Sequence, residues 1–163
     1  MALAAAAGCG GMKVVPVEGV VTWNGMPVDK AEVCFIRDDK TKKGEPAAPA
    51  IARTDENGVF TLKTGDQIGA LPGHYRVTVQ KSNLEDLDIP NPLPAPYRQR
   101  DIIAYMVANN LVVEHLLPTK YSDMRNSPLE VDVTADGSNT QIELMLEGEP
   151  PKLQGKKTAK TSR

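Results

Sequence analysis

The length, composition and charge of the chain restrict its function before any motif is considered. Its 163 residues suffice for one domain of ordinary size, and a net charge of −2 argues against nucleic acid as a partner, because phosphate binding requires a concentrated basic surface. Aromatic residues make up only 4%, so a core must rest on aliphatic side chains. The 13 glycines and 13 prolines are typical of short strands joined by tight turns.

The amino-terminal residues 1–13 are predicted to be the remnant of a lipoprotein signal and a tether. Ala6-Ala7-Gly8-Cys9 resembles a bacterial lipobox, in which small residues precede a cysteine that receives a lipid, and Gly10-Gly11 would form a flexible linker. A lipid on Cys9 would hold the domain at a membrane surface that faces the periplasm or the exterior. The motif more often has leucine at the position of Ala6, and the apolar stretch is short and lacks a basic residue, as expected if translation begins upstream. The alternative is a chance alanine-rich end of a cytoplasmic protein.

The second cysteine, Cys34, lies between Val33 and Phe35 in an apolar run. We interpret it as a buried small hydrophobic residue without chemistry. A disulfide between Cys9 and Cys34 is an alternative in an oxidising compartment, but it is incompatible with a lipid on Cys9. Two cysteines do not form a structural zinc site unaided.

Strand signals begin at Val14. The range 14–23 is rich in valine and threonine, and Gly19 in its middle indicates a bulge or a close backbone approach. Asn24-Gly25 tolerate the positive φ angles of a type I′ hairpin turn. The range 31–37 is predicted to be the return strand, with Ala31, Val33 and Phe35 on one face.

Five further strands are predicted from alternation of apolar and polar residues, and they cover 51–54, 59–63, 74–80, 129–134 and 141–146. In 74–80 the residues Tyr75, Val77 and Val79 should point inward and His74 outward. Ile142, Leu144 and Leu146 should share one face. Seven short strands over residues 14–147 predict an all-β sandwich.

The strand pattern is interrupted between residues 81 and 128. Four prolines in 81–99 predict an extended, poorly ordered crossover. The apolar spacing in 101–117 favours a helix, and the alternative is a short helix that breaks at Asn109-Asn110 and is followed by a strand-like 111–113. Residues 148–163 are rich in lysine and predict a disordered basic tail.

Three stretches in order resemble carboxypeptidase regulatory-like domains. They are 19–28 with Ala31-Glu32-Val33, then Thr54-Asp55-Glu56-Asn57-Gly58-Val59-Phe60, then Leu71-Pro72-Gly73 with 74–79. The range 117–129 is similar to that of small lipoproteins of planctomycete-type bacteria. The resemblance implies a seven-stranded transthyretin-like (prealbumin-like, Ig-like) sandwich with a proline-rich crossover and one short helix, and it implies no catalytic residues.

Reactive residues are sparse in the sequence. The two histidines, His74 and His115, lie far apart along the chain, and no Gly-Xaa-Ser-Xaa-Gly nucleophile motif occurs. Asp55, Asn57 and Gly58 echo part of a calcium loop but lack its later ligands, so a turn is the better interpretation. We predict no catalytic residues, no cofactor and no metal site.

Trp23 is the one residue singled out for a possible ligand contact, to carbohydrate or protein. The favoured interpretation of its side chain is that it closes one end of the core. The sequence thus predicts a non-catalytic cell-envelope lipoprotein that acts as a structural or interaction module. The alternatives are a carbohydrate-binding module, an accessory domain of an envelope enzyme, or a cryptic hydrolase that uses His74 or His115. The expected partners are the membrane, through the lipid on Cys9, and an envelope protein or polysaccharide.

Overall fold

The computed structural model describes residues 13–38, 48–149 and 151, so the predicted lipobox and almost all of the basic tail lie outside the described residues. The described residues are mostly β-sheet, in two sheets with one short α-helix, α1 (Ile102–Ala108). Their strands are β1 (Glu18–Trp23), β2 (Met26–Pro27), β3 (Glu32–Arg37), β4 (Ala50–Arg53), β5 (Val59–Thr61), β6 (Lys63–Thr64), β7 (Gln67–Ile68), β8 (Gly73–Gln80), β9 (Leu129–Val133) and β10 (Ile142–Leu146). The coarse prediction of an all-β sandwich is confirmed.

The smaller sheet is organised around β1. Strand β10 runs parallel to β1 on one side, and β2 and β5 pair with it antiparallel on the other. The larger sheet is antiparallel in the order β7-β6-β4-β3-β8-β9. The first and last strands of the described residues, β1 and β10, therefore lie side by side.

The core lies between the inward faces of the two sheets. Val33 and Phe35 of β3 are fully buried, as are Val77 and Val79 of β8. The ring of Phe35 lies 6.1 Å from the ring of Phe60, which comes from the smaller sheet. The inward faces predicted for 31–37 and 74–80 are confirmed, because alternate residues of a strand point to opposite faces.

The hairpin at Asn24-Gly25 forms as predicted, with φ angles of 49° and 81°, but its return strand is β2 and not 31–37. Strand β5 occupies the same edge of β1 beyond β2, where it pairs with Glu18–Val20. No room remains there for a longer return strand, and β3 joins the larger sheet instead.

The predicted strand 59–63 divides between the two sheets. Strand β5 belongs to the smaller sheet and β6 to the larger one, and the chain crosses at Leu62, which is fully buried. The strands β2, β6 and β7 have two residues each. The described residues therefore form ten strands, and the predicted count of seven omitted these short ones.

The connection between β8 and β9 carries the helix. The predicted helix over 101–117 is wrong beyond Ala108, and the alternative break at Asn109-Asn110 is correct. Asn110 has a φ of 53°, and its N–H binds the carbonyl oxygen of Val107, which ends the helix. The following residues 111–113 belong to no strand, so the strand-like part of that alternative is wrong, and His115 forms an isolated bridge with Ser82. Within the described residues we find no helix that is both long and apolar enough to span a bilayer.

Candidate functional site

Trp23 lies at the end of β1, beside the hairpin turn. Its indole Nε1–H donates a hydrogen bond to the carbonyl oxygen of Gly148 at 3.0 Å, and the side-chain amide of Asn24 donates to the same oxygen at 3.2 Å. The indole is half-buried and packs against the core. The segment that follows β10 thus fixes the orientation of the ring.

Trp23 also forms one wall of an open cleft of about 420 Å³. The hairpin and the residues after it supply one side, and the end of the β8–β9 connection supplies the other. Its lining residues are Trp23, Met26, Pro27, Val28, Asp29, Lys81, His115, Leu116, Leu117 and Pro151. Most of them are apolar, and Met26 is 65% exposed. The tryptophan therefore both covers the end of the core and presents a surface to solvent.

A polar rim borders the apolar part of the cleft. The Lys81 ammonium lies 2.5 Å from a carboxylate oxygen of Asp29. The hydrogen bond from Lys81, together with its positive charge, holds the pKa of Asp29 below its usual value, so this carboxylate remains ionised at neutral pH. His115 is exposed beside them. The rim offers hydrogen-bond donors and acceptors to a molecule in the cleft.

A second, wider groove of about 750 Å³ adjoins the cleft and shares Lys81 and His115 with it. Its floor includes Ile51 on the outward face of the larger sheet, and its walls include the ion pair between Arg53 and Glu85, whose nearest atoms are 2.5 Å apart. Both side chains of this pair are about half exposed, so the pair adds little stability. The two depressions together form a continuous surface from Trp23 to β4.

His74 lies away from both depressions. It is on the outward face of the larger sheet, as predicted, on β8 next to the edge strand β9. Its Nδ1 is 2.7 Å from an Asp132 oxygen, and its Nε2 is 3.7 Å from a Glu130 oxygen. The hydrogen bond with Asp132 and the nearby carboxylate charges raise the pKa of His74. Because His74 and Asp132 are Cα partners across β8 and β9, the pair holds the edge strand in register.

The residues predicted to have no chemistry lie in ordinary structural settings. Cys34 is a half-buried free cysteine on β3, and burial raises the pKa of its thiol, which keeps it protonated and weakly nucleophilic. One Asp55 carboxylate oxygen accepts hydrogen bonds from the backbone N–H groups of Asn57 and Val59, so the turn interpretation is confirmed. Among the described residues, no three His, Cys, Asp or Glu side chains are grouped to hold a metal ion.

The sequence identified Trp23 but missed the residues that complete its cleft. Leu116 and Leu117 were assigned to the helix pattern, and Lys81 to the start of the proline-rich crossover. Their apolar or charged character was visible, but nothing in their spacing shows that they meet a hairpin that lies between about 55 and 95 residues earlier in the chain.

No family model, curated protein or solved structure matches this chain. The likeness to carboxypeptidase regulatory-like domains therefore rests on the sequence motifs and stays a prediction.

Proposed function

We propose that this chain is a non-catalytic interaction module of a bacterial cell envelope, and that it binds its partner in the Trp23 cleft. The observation that supports this proposal is the combination of an apolar cleft, a tryptophan with a fixed ring and a polar rim. Ligand sites commonly combine an apolar lining with a few placed polar groups. Because the hydrogen bond to Gly148 already orients the indole, ligand binding would cost little additional side-chain conformational entropy at Trp23.

The proposal includes the finer fold and the anchor. The motifs at 19–28, 54–60 and 71–79 support a transthyretin-like arrangement of the two sheets, and Ala6-Ala7-Gly8-Cys9 supports a lipid on Cys9. Mass spectrometry of the mature amino terminus from the native cell tests the anchor. We expect a diacylated Cys9, and an unmodified cysteine within an intact amino-terminal peptide would contradict the proposal.

The rim of the cleft favours carbohydrate as the ligand class. An indole ring offers an apolar face to the C–H groups of a sugar, and Asp29, Lys81 and His115 surround that face with hydrogen-bonding groups for its hydroxyls. An envelope polysaccharide would meet both requirements. A protein segment would use the apolar wall more than the rim.

Two methionines of equal exposure allow a matched binding test. Met26 lines the cleft and Met145 lies on β10, and both are 65% exposed, so a glutamate at either position should leave the fold intact. We expect Met26→Glu to weaken binding of the full chain on a glycan array by at least about tenfold, which corresponds to about 1.4 kcal/mol. Met145→Glu should bind like the wild type. Equal binding by all three proteins would place the ligand outside the cleft.

The enzymatic alternative has its own test. The full chain and its His74→Gln/His115→Gln variant are incubated with ester and glycoside reporter substrates. Under the proposal both release product at the rate of buffer alone. A rate above buffer that disappears in the double variant would show that a histidine is catalytic and would refute a non-catalytic module.

A further inference from the structure

Helix α1 presents apolar side chains that the other described residues leave uncovered. None of its residues is buried, and Ile103 and Val107 are each 73% exposed. These two residues are four apart and therefore lie on the same face of the helix. The chain turns back after the helix, where the N–H of Leu111 binds the carbonyl oxygen of Met106, and the next residue, Val112, is 60% exposed.

The sequence from Ile102 to Val113 contains no charged residue. A surface helix of a soluble protein normally carries polar or charged residues on its outward face. Contiguous exposed apolar surface usually marks a site that binds a protein or a membrane. Helix α1 thus has the composition of a buried element, and nothing in the part of the chain that the structure describes covers it.

Basic and aromatic residues lie directly before this apolar surface. Arg98 and Arg100 are exposed. Asp101 accepts a hydrogen bond from the backbone N–H of Arg98 through one carboxylate oxygen, and its other oxygen lies 3.8 Å from Nε of Arg100. This ion pair is solvent-exposed and therefore weak, so the Arg100 guanidinium can exchange it for a phosphate group. The rings of Tyr97 and Tyr105 meet edge to face, with centroids 5.3 Å apart. Aliphatic side chains that insert, tyrosines at the interfacial level and arginines near lipid phosphates are the features of segments that lie in a bilayer interface.

We propose that residues 97–112, called the α1 surface below, dock on the headgroup region of an anionic lipid bilayer. Ile103, Val107 and Val112 enter the interface, and Arg98 and Arg100 contact phosphate groups. This site is distinct from the Trp23 cleft, which binds a different ligand. The occupant is a lipid surface because the arginines complement its charge and the uncharged run complements its apolar interior.

The start of the described chain and part of the β8–β9 connection both adjoin the β6–β7 hairpin. Val15 pairs with Ala70, next to the β6–β7 hairpin, and Gly65 of that hairpin lines the wider groove together with Val113. The chain from Cys9 to Val15 spans at most about 20 Å when extended. This step rests on the proposed function: a lipid on Cys9 would keep the α1 surface near the bilayer.

The test uses the full chain made without its lipid, as Cys9→Ser, so that only the α1 surface can bind. Vesicles contain equal parts of phosphatidylglycerol and phosphatidylcholine, or phosphatidylcholine alone. We expect sedimentation with the anionic vesicles at low salt and weaker binding to the neutral ones. Ile103→Gln/Val107→Gln should reduce partitioning at least about tenfold, and Arg98→Gln/Arg100→Gln about fivefold for each arginine. Ile68→Gln/Met145→Gln, which changes apolar residues of similar exposure (62% and 65%) elsewhere, should bind like its parent.

Three results would overturn the proposal. They are failure to sediment with anionic vesicles, equal partitioning of the helix variant and its parent, and a dimer without vesicles that the helix variant dissociates. The last result would assign the α1 surface to a contact between copies of the chain. Circular dichroism establishes that each variant is folded. Since the protein carries no lipid and its cleft is unchanged, none of these results bears on the lipidation of Cys9 or on ligand binding at Trp23.

Discussion

Gly19 lies where three strands of the smaller sheet come closest together. A Cβ atom at this position would be 2.3 Å from the carbonyl oxygen of Ile142 on β10 and 2.7 Å from a ring carbon of Phe60 on β5. Both residues are Cα partners of Gly19. The change Gly19→Ala therefore has to separate β1 from a backbone group on one side and from a core ring on the other.

The size of the effect follows from these contacts. Ordinary contact with a Cβ atom begins at about 3.4 Å, so the Ile142 carbonyl has to move by about 1 Å. The ring of Phe60 is 1% exposed, so it cannot move without disturbing other core side chains. Overpacking of this kind costs about 1–3 kcal/mol, whereas alanine normally stabilises a strand by roughly 0.5–1 kcal/mol relative to glycine. Because the added Cβ meets a backbone carbonyl and a core ring at once, we take the upper end of the overpacking cost, about 3 kcal/mol. Subtracting the contribution of alanine leaves a net loss of about 2 kcal/mol.

Urea unfolding measures this loss, with the fluorescence of Trp23, the single tryptophan, as the probe. The midpoint for Gly19→Ala should fall by about 1 M if the slope is that of a small domain. Glu18→Ala, an exposed neighbour on the same strand, serves as the control and should change the midpoint little. A Gly19→Ala protein as stable as the wild type would refute the close approach of β1 and β10.

Three further predictions concern titration and buried hydrogen bonds. The hydrogen bond with Asp132 raises the pKa of His74, so the stability from this pair is complete below about pH 6.5 and is lost as the pH rises through the raised value. The hydrogen bond from the Thr134 hydroxyl is the largest of the causes that lower the pKa of Asp136 to about 2. The stability that the ionised Asp136 contributes to the fold is therefore present above about pH 4 and is lost as the pH falls through about 2. Thr54→Val removes the acceptor of a buried backbone N–H and should cost about 1–3 kcal/mol in unfolding free energy.

Each of these predictions has a direct measurement. NMR titration should give a lower pKa for His74 in Asp132→Asn than in the wild type, and an identical value would contradict the pairing. Unfolding of Asp136→Asn compared with the wild type should show a stability difference that disappears in strong acid, and a pH-independent difference would contradict the depressed pKa. For Thr54→Val the matched control is Thr61→Val, because Thr61 is exposed on β5. Equal midpoints for these two variants would contradict the buried hydrogen bond.

Features determined by neighbouring residues were predictable from the sequence. Alternation over 74–80 predicted the inward face of β8, because a pleated strand that is buried on one side requires apolar residues at every second position. Asn24-Gly25 predicted the hairpin, since both residues tolerate positive φ. Gly19 predicted a bulge or a close backbone approach, and the structure shows the close approach, to the carbonyl oxygen of Ile142 on β10.

Features determined by distant residues were not predictable. The run from Val59 to Lys63 looks like one strand, because a chain that crosses between sheets at a buried Leu62 keeps the same apolar pattern. The parallel pairing of β1 with β10 has no local signal either. The cleft has no local signal for the same reason, since its lining residues Trp23, Leu117 and Pro151 are far apart along the chain.

The central claim is that the Trp23 cleft binds an envelope ligand, and residue-resolved NMR tests it most directly. Isotope-labelled full chain is titrated with polysaccharide solubilised from a bacterial envelope, and the shifts of backbone amides and of the indole N–H are followed. We expect the largest changes at the Trp23 indole and at the amides of Met26 and Leu117. Changes centred on His74 and the β9 edge, or no changes at saturating ligand, would contradict it.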